Sequence, residues 1–304
     1  MGARHGHEHT ATGQQSGRLA AVFVITLIIV IAEVAGALVT GSLVLLADAG
    51  HMAADAAGVG LSLLAAYFAT RPATDRRTFG YARAEILAAT VNALLLLGMT
   101  AFILAEAAGR LSSAPGVSSG LMMAFGAGAL AGNGTSLLIL RGGQAASMNV
   151  RGAFLEAMSD TFGAAAVIVT GAVIAVTGFT RADSIASLVV GVLIVPRTWR
   201  LLRDAVDVLL EASPRGVDLT EVRRHLAEVD GVTDVHDLHA WMITSGLPVL
   251  SAHVVVDPGL LAEGRSDAML DQLQACLRGH FDVQHSTFQL EPTGHADHES
   301  SVCL

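Results

Sequence analysis

The chain has 304 residues, of which 52% are hydrophobic and only 15% are charged, and its mean hydropathy is +0.56. This composition excludes a disordered chain, a disulfide-rich scaffold and an ordinary soluble enzyme. Residues 212–304 account for the whole formal net charge of −9, so a neutral apolar part precedes an acidic one. An acidic segment disfavours nucleic acid as a partner and favours cations.

Six long apolar runs before residue 211 predict a membrane domain made entirely of helices, because a helix needs roughly 20 apolar residues to cross a bilayer. The first run is longer than the apolar core of a signal peptide and five more follow it, so we interpret it as a retained span. The six predicted transmembrane helices lie at 19–39, 42–69, 83–108, 118–140, 152–179 and 183–202.

Arginine is unevenly distributed among the segments that connect these spans. The tail before the first span and the links after the second, fourth and sixth spans are rich in arginine, whereas the other links hold only Arg110 and Arg181. Positive charge marks the cytoplasmic side of a membrane, so we expect both termini in the cytoplasm. Arginine without lysine, together with abundant Ala and Gly, indicates a GC-rich prokaryote and hence a location in the cytoplasmic (plasma) membrane.

The hydrophobic period changes after residue 211. An amphipathic helix is predicted near 218–229, strands at 232–243 and 249–256, a helix near 266–280 and a strand near 284–291. This α-β-β-α-β order predicts a small two-layer α+β domain. The predicted divisions are a His-containing cytoplasmic tail at 1–18, a six-helix transmembrane domain at 19–211, a cytoplasmic metal-binding domain at 212–292 and a flexible tail at 293–304.

Two of the spans carry ionisable side chains at membrane depth, where each costs several kcal/mol unless it is paired, hydrated or bound to a metal. His51 and Asp55 are four residues apart in the second span, with Asp48 on the same stripe, and Glu156 and Asp160 repeat the spacing in the fifth. Residues four apart share a helix face. Snorkelling or interhelical hydrogen bonding is the alternative, but two such pairs favour a four-ligand site for a divalent ion such as Zn²⁺. Protons would compete with the metal for these ligands.

Other polar residues lie in or beside the spans, but we do not include them among the predicted metal ligands. Glu106 and Asp183 are close to predicted helix ends, so we expect them at the membrane interface. Asn133 lies in a glycine-rich fourth span, which indicates close helix packing with one interhelical hydrogen bond. Two more residues of this kind are Glu33 and Asn92.

Histidines are concentrated outside the spans. The α+β domain contains His236 and His239, which are predicted to project to opposite faces of a strand. A metal site there would have to be built between strands, for example from His236, His253 and Glu291, and hydrogen bonding at the surface is the alternative. The N-terminal tail is either a weak metal scavenger or without consequence; its histidines are His5, His7 and His9. The two cysteines, Cys276 and Cys303, form neither a disulfide framework nor a CxxC zinc site.

Six short segments carry a resemblance to a known family. They follow one order across the spans and the α+β domain, between about residues 17 and 292. Through them the chain resembles the cation diffusion facilitators and, within that family, the zinc-transporter branch. The segments are 41–55 (GSLVLLADAGHMAAD), 78–85 (TFGYARAE), 149–156 (NVRGAFLE), 235–241 (VHDLHAW), 250–254 (LSAHV) and 285–291 (HSTFQLE).

This resemblance implies a homodimer of six-helix protomers, each with a ferredoxin-like cytoplasmic domain. It implies export of divalent metal from the cytoplasm in exchange for protons by alternating access. The two ligand pairs predict Zn²⁺, or Co²⁺ or Cd²⁺, as the transported ion, and Zn²⁺ is also expected to regulate the cytoplasmic domain. Many zinc-transporting members have histidine at the position of Glu156, so the ligand set here is harder. The implied transport site is His51, Asp55, Glu156 and Asp160, and the implied cytoplasmic positions are His236, His253 and Glu291, with His285 in a neighbouring site.

Two other functions are compatible with metal ligands in a membrane protein. An intramembrane metal-dependent hydrolase would need an open metal position and usually a spacing such as HExxH, which this sequence does not contain. A membrane-anchored metal sensor would rest on the cytoplasmic domain alone and leaves the ligands inside the spans unexplained. Neither the resemblance nor the spacing of the ligand pairs indicates catalytic residues.

Overall fold

The computed structural model describes residues 6–113, 115–143, 148–281, 283 and 285–295, without the side chains of 6–16, 62, 66, 69, 143, 148 and 149. The described residues form two compact units. The first comprises the described residues of Met1–Leu63 and Val91–Leu202, and the second those of Leu64–Thr90 and Arg203–Leu304.

Six long helices occur before residue 211, as predicted. Among the described residues, α1, α3, α4, α5 and α6 are long and apolar enough to cross a membrane. The remaining helix, α2, has 27 residues. The bounds are α1 Gly6–Thr40, α2 Leu43–Ala69, α3 Ala84–Arg110, α4 Ser119–Leu140, α5 Met148–Thr177 and α6 Arg181–Leu209.

Glycine allows α4 to pack closely against its neighbours, which agrees with the sequence interpretation of this helix. A Cβ on Gly132 would lie 2.7 Å from Ile29 of α1, and one on Gly126 would lie 3.0 Å from Val167 of α5. Close backbone approach of this kind is a common way to pack helices where no water drives them together. The expected hydrogen bond is not found for Asn133 Nδ2, which is buried and has no partner within the described ranges.

The second unit contains the α-β-β-α-β domain predicted from the sequence. Strand β2 pairs with β1 in antiparallel and with β3 in parallel register, so the order is β1-β2-β3. The helices α7 and α9 cover one face of this sheet with an apolar core that includes Val222, Leu250 and Leu273. Its elements are α7 Leu219–Ala227, β1 Val232–Met242, β2 Pro248–Val256, α8 Pro258–Ala262, α9 Ser266–Phe281 and β3 His285–Pro292, of which only the short α8 was not predicted.

An irregularity in β1 changes which face its histidines occupy. The register shifts between His236 and His239, and Asp237 has a φ of 47°, which is uncommon for a residue other than glycine. Val235 and Leu238 both face the core, three residues apart, so one extra residue has been inserted into the alternation. His236 and His239 therefore share the face opposite the core. The prediction of opposite faces was wrong because it assumed a regular strand.

Candidate metal centres

Three side chains come together in the helical unit: His51 and Asp55 from α2 and Asp160 from α5. One ligand atom of each lies within 4.8 Å of a ligand atom of both others. His51 Nε2 is 3.4 Å from Asp55 Oδ2. Asp160 is buried, whereas 14% of the His51 side chain and 25% of the Asp55 side chain are exposed. One imidazole and two carboxylates at this spacing can bind the same divalent ion from a site that remains accessible.

Helices α2 and α5 meet closely beside this group. A Cβ on Gly163 of α5 would collide with Oδ1 of Asp48, which lies on α2 one turn before His51. Glycine at this position therefore permits the contact between the two helices. Because residues three or four apart lie on one helix face, the same side of α2 that reaches Gly163 also carries His51 and Asp55.

Glu156, the fourth predicted ligand, lies beside Asp55 of this group, but it does not come within 4.8 Å of all three residues. Its Oε1 accepts a hydrogen bond from Nη2 of Arg197 on α6 at 3.2 Å. Both side chains of this ion pair are more than one-third exposed on the surface of the helical unit. Glu156 thus lies between Arg197 and Asp55, and a cation bound beside Asp55 could replace Arg197 as its partner. Arg197 was not among the predicted site residues, because nothing in its spacing connects it with the fifth span.

Two further acids are buried near the group, Glu33 on α1 and Asp48 on α2. Their residues are 1% and 4% exposed, and the two carboxyl groups lie next to each other. No donor in the described part of the chain reaches either oxygen of Glu33 or Oδ2 of Asp48. Two adjacent buried carboxylates without donors are unstable as bare anions, so this pair requires a proton or a cation.

Asp183 secures the start of the helix that carries the ligands. Its Oδ1 accepts a hydrogen bond from Ser42 Oγ at 2.5 Å, and its Oδ2 accepts one from the amide of Leu43 at 2.7 Å. The first N–H groups of a helix have no partner within the helix, and a carboxylate there also complements the helix dipole. Asp183 lies in the first turn of α6, near a helix end as predicted, and it is buried among the helices, with only 1% of the residue exposed.

A second group of three side chains lies on the sheet of the α+β domain, on the face opposite the helices. The strand register pairs His236 with His253, and Glu291 comes from the adjacent β3. His253 Nδ1 is 2.9 Å from Glu291 Oε1, and His236 Nε2 is 3.4 Å from Glu291 Oε2. Glu291 is buried, and its Oε2 has no hydrogen-bond partner among the residues described. Two imidazoles and a carboxylate are a typical ligand set for zinc, and the buried Oε2 of Glu291 is free to bind the ion. A zinc ion would be held by these three residues.

Asp237 links this second group to the neighbouring His239. One carboxylate oxygen of Asp237 lies 2.9 Å from His239 Nε2, and the other lies 3.6 Å from His253 Nε2. The hydrogen bond from His239 lowers the pKa of Asp237, so this residue is ionised at neutral pH. Sequence reasoning overlooked Asp237 because only the β1 irregularity turns its side chain toward the histidines.

The remaining predicted ligand of this domain, His285, is not close to the other three. It is the first residue of β3 and pairs with Val249, whereas Glu291 lies six residues further along the same strand. At about 3.3 Å per residue this separates them by roughly 20 Å. The ring of His285 instead contacts Phe79, with 5.7 Å between ring centres. The histidines of the N-terminal tail and Cys303 lie outside the residues whose side chains are described.

The apolar helical unit carries one group of potential metal ligands and the α+β domain carries a second, an arrangement that fits a membrane transporter for metal cations. Residues 19–210 match the family profile described as the cation efflux transmembrane domain. Residues 214–293 match the profile described as the cation efflux protein cytoplasmic domain. The chain therefore belongs to the cation efflux, or cation diffusion facilitator, family. It is a metal cation efflux transporter rather than an enzyme.

Three curated relatives are similar over nearly their whole length. The metal cation efflux system protein CzcD of Cupriavidus metallidurans is 42% identical over 98% of this chain and 93% of its own length. The zinc transporter ZitB of Escherichia coli is 39% identical over 94% of this chain and 92% of its own. A cadmium, cobalt and zinc/H(+)-K(+) antiporter of Bacillus velezensis is 34% identical over 98% and 95%. The resemblance inferred from the six sequence segments is thereby confirmed.

Proposed function

We propose that this chain exports zinc from the cytoplasm in exchange for protons, by alternating access. The observation that supports the proposal most directly is the meeting of His51, Asp55 and Asp160 in the helical unit. These three residues bind the transported ion, and Glu156 joins them as the fourth ligand when it leaves Arg197. Cobalt and cadmium are further substrates of the same site.

The charge of the proposed transport site accounts for the coupling to protons. With His51 neutral, its four ligands carry three negative charges, of which a divalent ion neutralises two. Metal ligands must be deprotonated, so zinc binding releases protons and protons in turn displace zinc. The buried pair Glu33 and Asp48 is a further place where a proton can be held in this unit. Competition for the same groups lets a proton gradient drive the metal out.

The choice of metal follows from the ligands and from the relatives. One imidazole with carboxylates has intermediate hardness, which suits zinc and cobalt better than magnesium or calcium. ZitB is named a zinc transporter, and the Bacillus velezensis relative is named a cadmium, cobalt and zinc/H(+)-K(+) antiporter. We extend these activities to this chain as a proposal, with zinc as the main substrate.

The α+β domain has a regulatory role in this proposal. His236, His253 and Glu291 bind a second zinc ion, and His285 belongs to a neighbouring site in the homodimer. Both termini face the cytoplasm, and the transporter is a multi-pass protein of the cytoplasmic membrane. In this proposal the chain is divided as predicted from the sequence, into a tail at 1–18, the transmembrane domain at 19–211, the cytoplasmic domain at 212–292 and a second tail at 293–304.

Transport into reconstituted vesicles tests the proposed function. Vesicles with an acidic interior should accumulate zinc faster than vesicles without a pH gradient, because protons leaving the lumen drive the metal inward. An ionophore that collapses the gradient should remove the difference. Zinc uptake that is the same with and without the gradient would contradict proton coupling, and absence of zinc uptake under any gradient would contradict zinc as the substrate.

Replacing Glu156 with histidine should shift the metal preference toward zinc. The substitution exchanges a hard oxygen ligand for an imidazole and removes the ion pair with Arg197. We expect cobalt transport by Glu156→His to fall several-fold relative to zinc transport, measured with both metals in the same vesicles. Glu156→Gln is the matched control, because it removes the charge without supplying a nitrogen ligand. An unchanged ratio in Glu156→His would place Glu156 outside the transport site.

A further inference from the structure

Two histidines stand together on the helical layer of the α+β domain, on the face of the sheet opposite the His236 group. His225 lies in the last turn of α7, and His280 lies in the last turn of α9. Their ring centres are 4.9 Å apart. The ring of Phe281 packs edge-on against His225 at 5.2 Å, which restricts the orientation of that imidazole. Neither histidine has a role in the transport or regulation proposed above.

Local hydrogen bonds leave the same nitrogen available on both rings. His225 Nδ1 lies 2.9 Å from the carbonyl oxygen of Glu221, and His280 Nδ1 lies 3.1 Å from that of Cys276. A carbonyl oxygen can only accept, so each Nδ1 carries the hydrogen, and in the neutral ring Nε2 then has a free lone pair. Metal-binding histidines in proteins are commonly oriented in this way, by a hydrogen bond from the nitrogen that does not bind the metal.

The spacing of the rings is that of two ligands on one ion. Zinc binds imidazole nitrogen at about 2.0–2.1 Å, so two imidazoles on a tetrahedral ion have ring centres roughly 5 Å apart. The rings of His225 and His280 meet this condition at 4.9 Å. For comparison, the rings of His236 and His253, which lie in a three-residue ligand group, are 5.3 Å apart.

The charges around the pair are compatible with a cation. Glu221 has Oε2 3.9 Å from His225 Nδ1. Arg224 approaches the same nitrogen to 3.5 Å, but its guanidinium group is bound by Glu221 and Glu228, which more than balance its charge. Burial raises the pKa of the Cys276 thiol, so this side chain stays protonated and neutral beside the pair.

From this geometry we propose that His225 and His280 form a further metal site, which binds a borderline divalent ion such as Zn²⁺ through both Nε2 atoms. Water completes the coordination, because the pair lies at the protein surface. The ion joins the C-terminal ends of α7 and α9. This site does not depend on the proposed transport function, because it shares no residue with the transport ligands or with the His236 group.

Chemical modification of the full-length protein tests the site residue by residue. Diethyl pyrocarbonate reacts with unprotonated imidazole nitrogen. The rate of this modification at each histidine is measured by peptide mass spectrometry. At a zinc concentration about ten times the dissociation constant, mass action leaves roughly one-tenth of the sites free, so His225 and His280 should both react roughly tenfold more slowly. Magnesium, which prefers oxygen ligands, should protect neither.

Single substitutions decide whether the two histidines act together. In His280→Gln zinc should no longer protect His225, and in His225→Gln it should no longer protect His280. Equal rates in the wild type and the variants without zinc would show that the substitutions leave the fold intact. In Asp160→Asn, zinc should protect His225 and His280 from modification as well as it does in the wild type. This result would show that the site is independent of the transport site. Absence of zinc protection in the wild type, or protection of His225 that persists in His280→Gln, would overturn the proposal.

Discussion

Zinc transport should be lost when Asp160 is replaced by asparagine. Asparagine has nearly the same shape but supplies a neutral, weak ligand in place of a carboxylate. Even residues that only orient metal ligands cost about 10–100-fold in affinity or activity when they are removed, so loss of a ligand should cost at least as much. We expect zinc uptake by Asp160→Asn vesicles to fall to background at every pH gradient, and the same for Asp55→Asn.

Glu106→Gln is the matched control for these substitutions. Glu106 also lies on a helix of the same unit, but it is paired with Arg110 and 43% of its side chain is exposed. An exposed pair of this kind contributes little, so Glu106→Gln should transport zinc like the wild type. If Asp160→Asn and Asp55→Asn also transported zinc at the wild-type rate, the ligands would have to be sought elsewhere, with Glu33 and Asp48 as the next group to examine.

The architecture followed from local patterns that need no knowledge of the tertiary structure. Long apolar runs mark α1 to α6, and the predicted strand at 249–256 differs by one residue from β2, Pro248–Val256. Both the length of a membrane-crossing helix and the alternation of a strand are visible in a short window of sequence. α8 was not predicted, because a helix of five residues is too short to show a period.

The site could be predicted only as far as it depends on spacing along one element. The interval of four residues correctly placed His51 and Asp55 on one face of α2, and the structure brings the predicted Asp160 of α5 next to them. What Glu156 contacts depends instead on how α6 packs beside α5, because Arg197 comes from that helix. Sequence spacing within one helix carries no information about such a neighbour. The same reason explains why Glu33 and Asp48 could not be recognised as a buried pair.

Replacing Asp183 with alanine should destabilise the protein, whereas the ligand substitutions should not. Asp183→Ala leaves the buried Ser42 hydroxyl and the amide of Leu43 without their acceptor. Each buried donor that loses its partner costs about 1–3 kcal/mol, so the expected loss for these two is about 2–6 kcal/mol. The apparent Tm of the detergent-solubilised protein, measured at one fixed heating rate, should fall clearly below that of the wild type.

A graded series separates the role of Asp183 as a helix cap from any part in binding metal. Ser42→Ala removes one of the donors and should lower the apparent Tm least, while Asp183→Asn keeps one acceptor oxygen and should fall between Ser42→Ala and Asp183→Ala. Asp160→Asn is the opposite case, because Oδ1 of this buried carboxylate has no donor among the described residues and neutralising it relieves an unfavourable charge. It should lose transport at an equal or higher Tm. A wild-type Tm for Asp183→Ala would contradict the capping role.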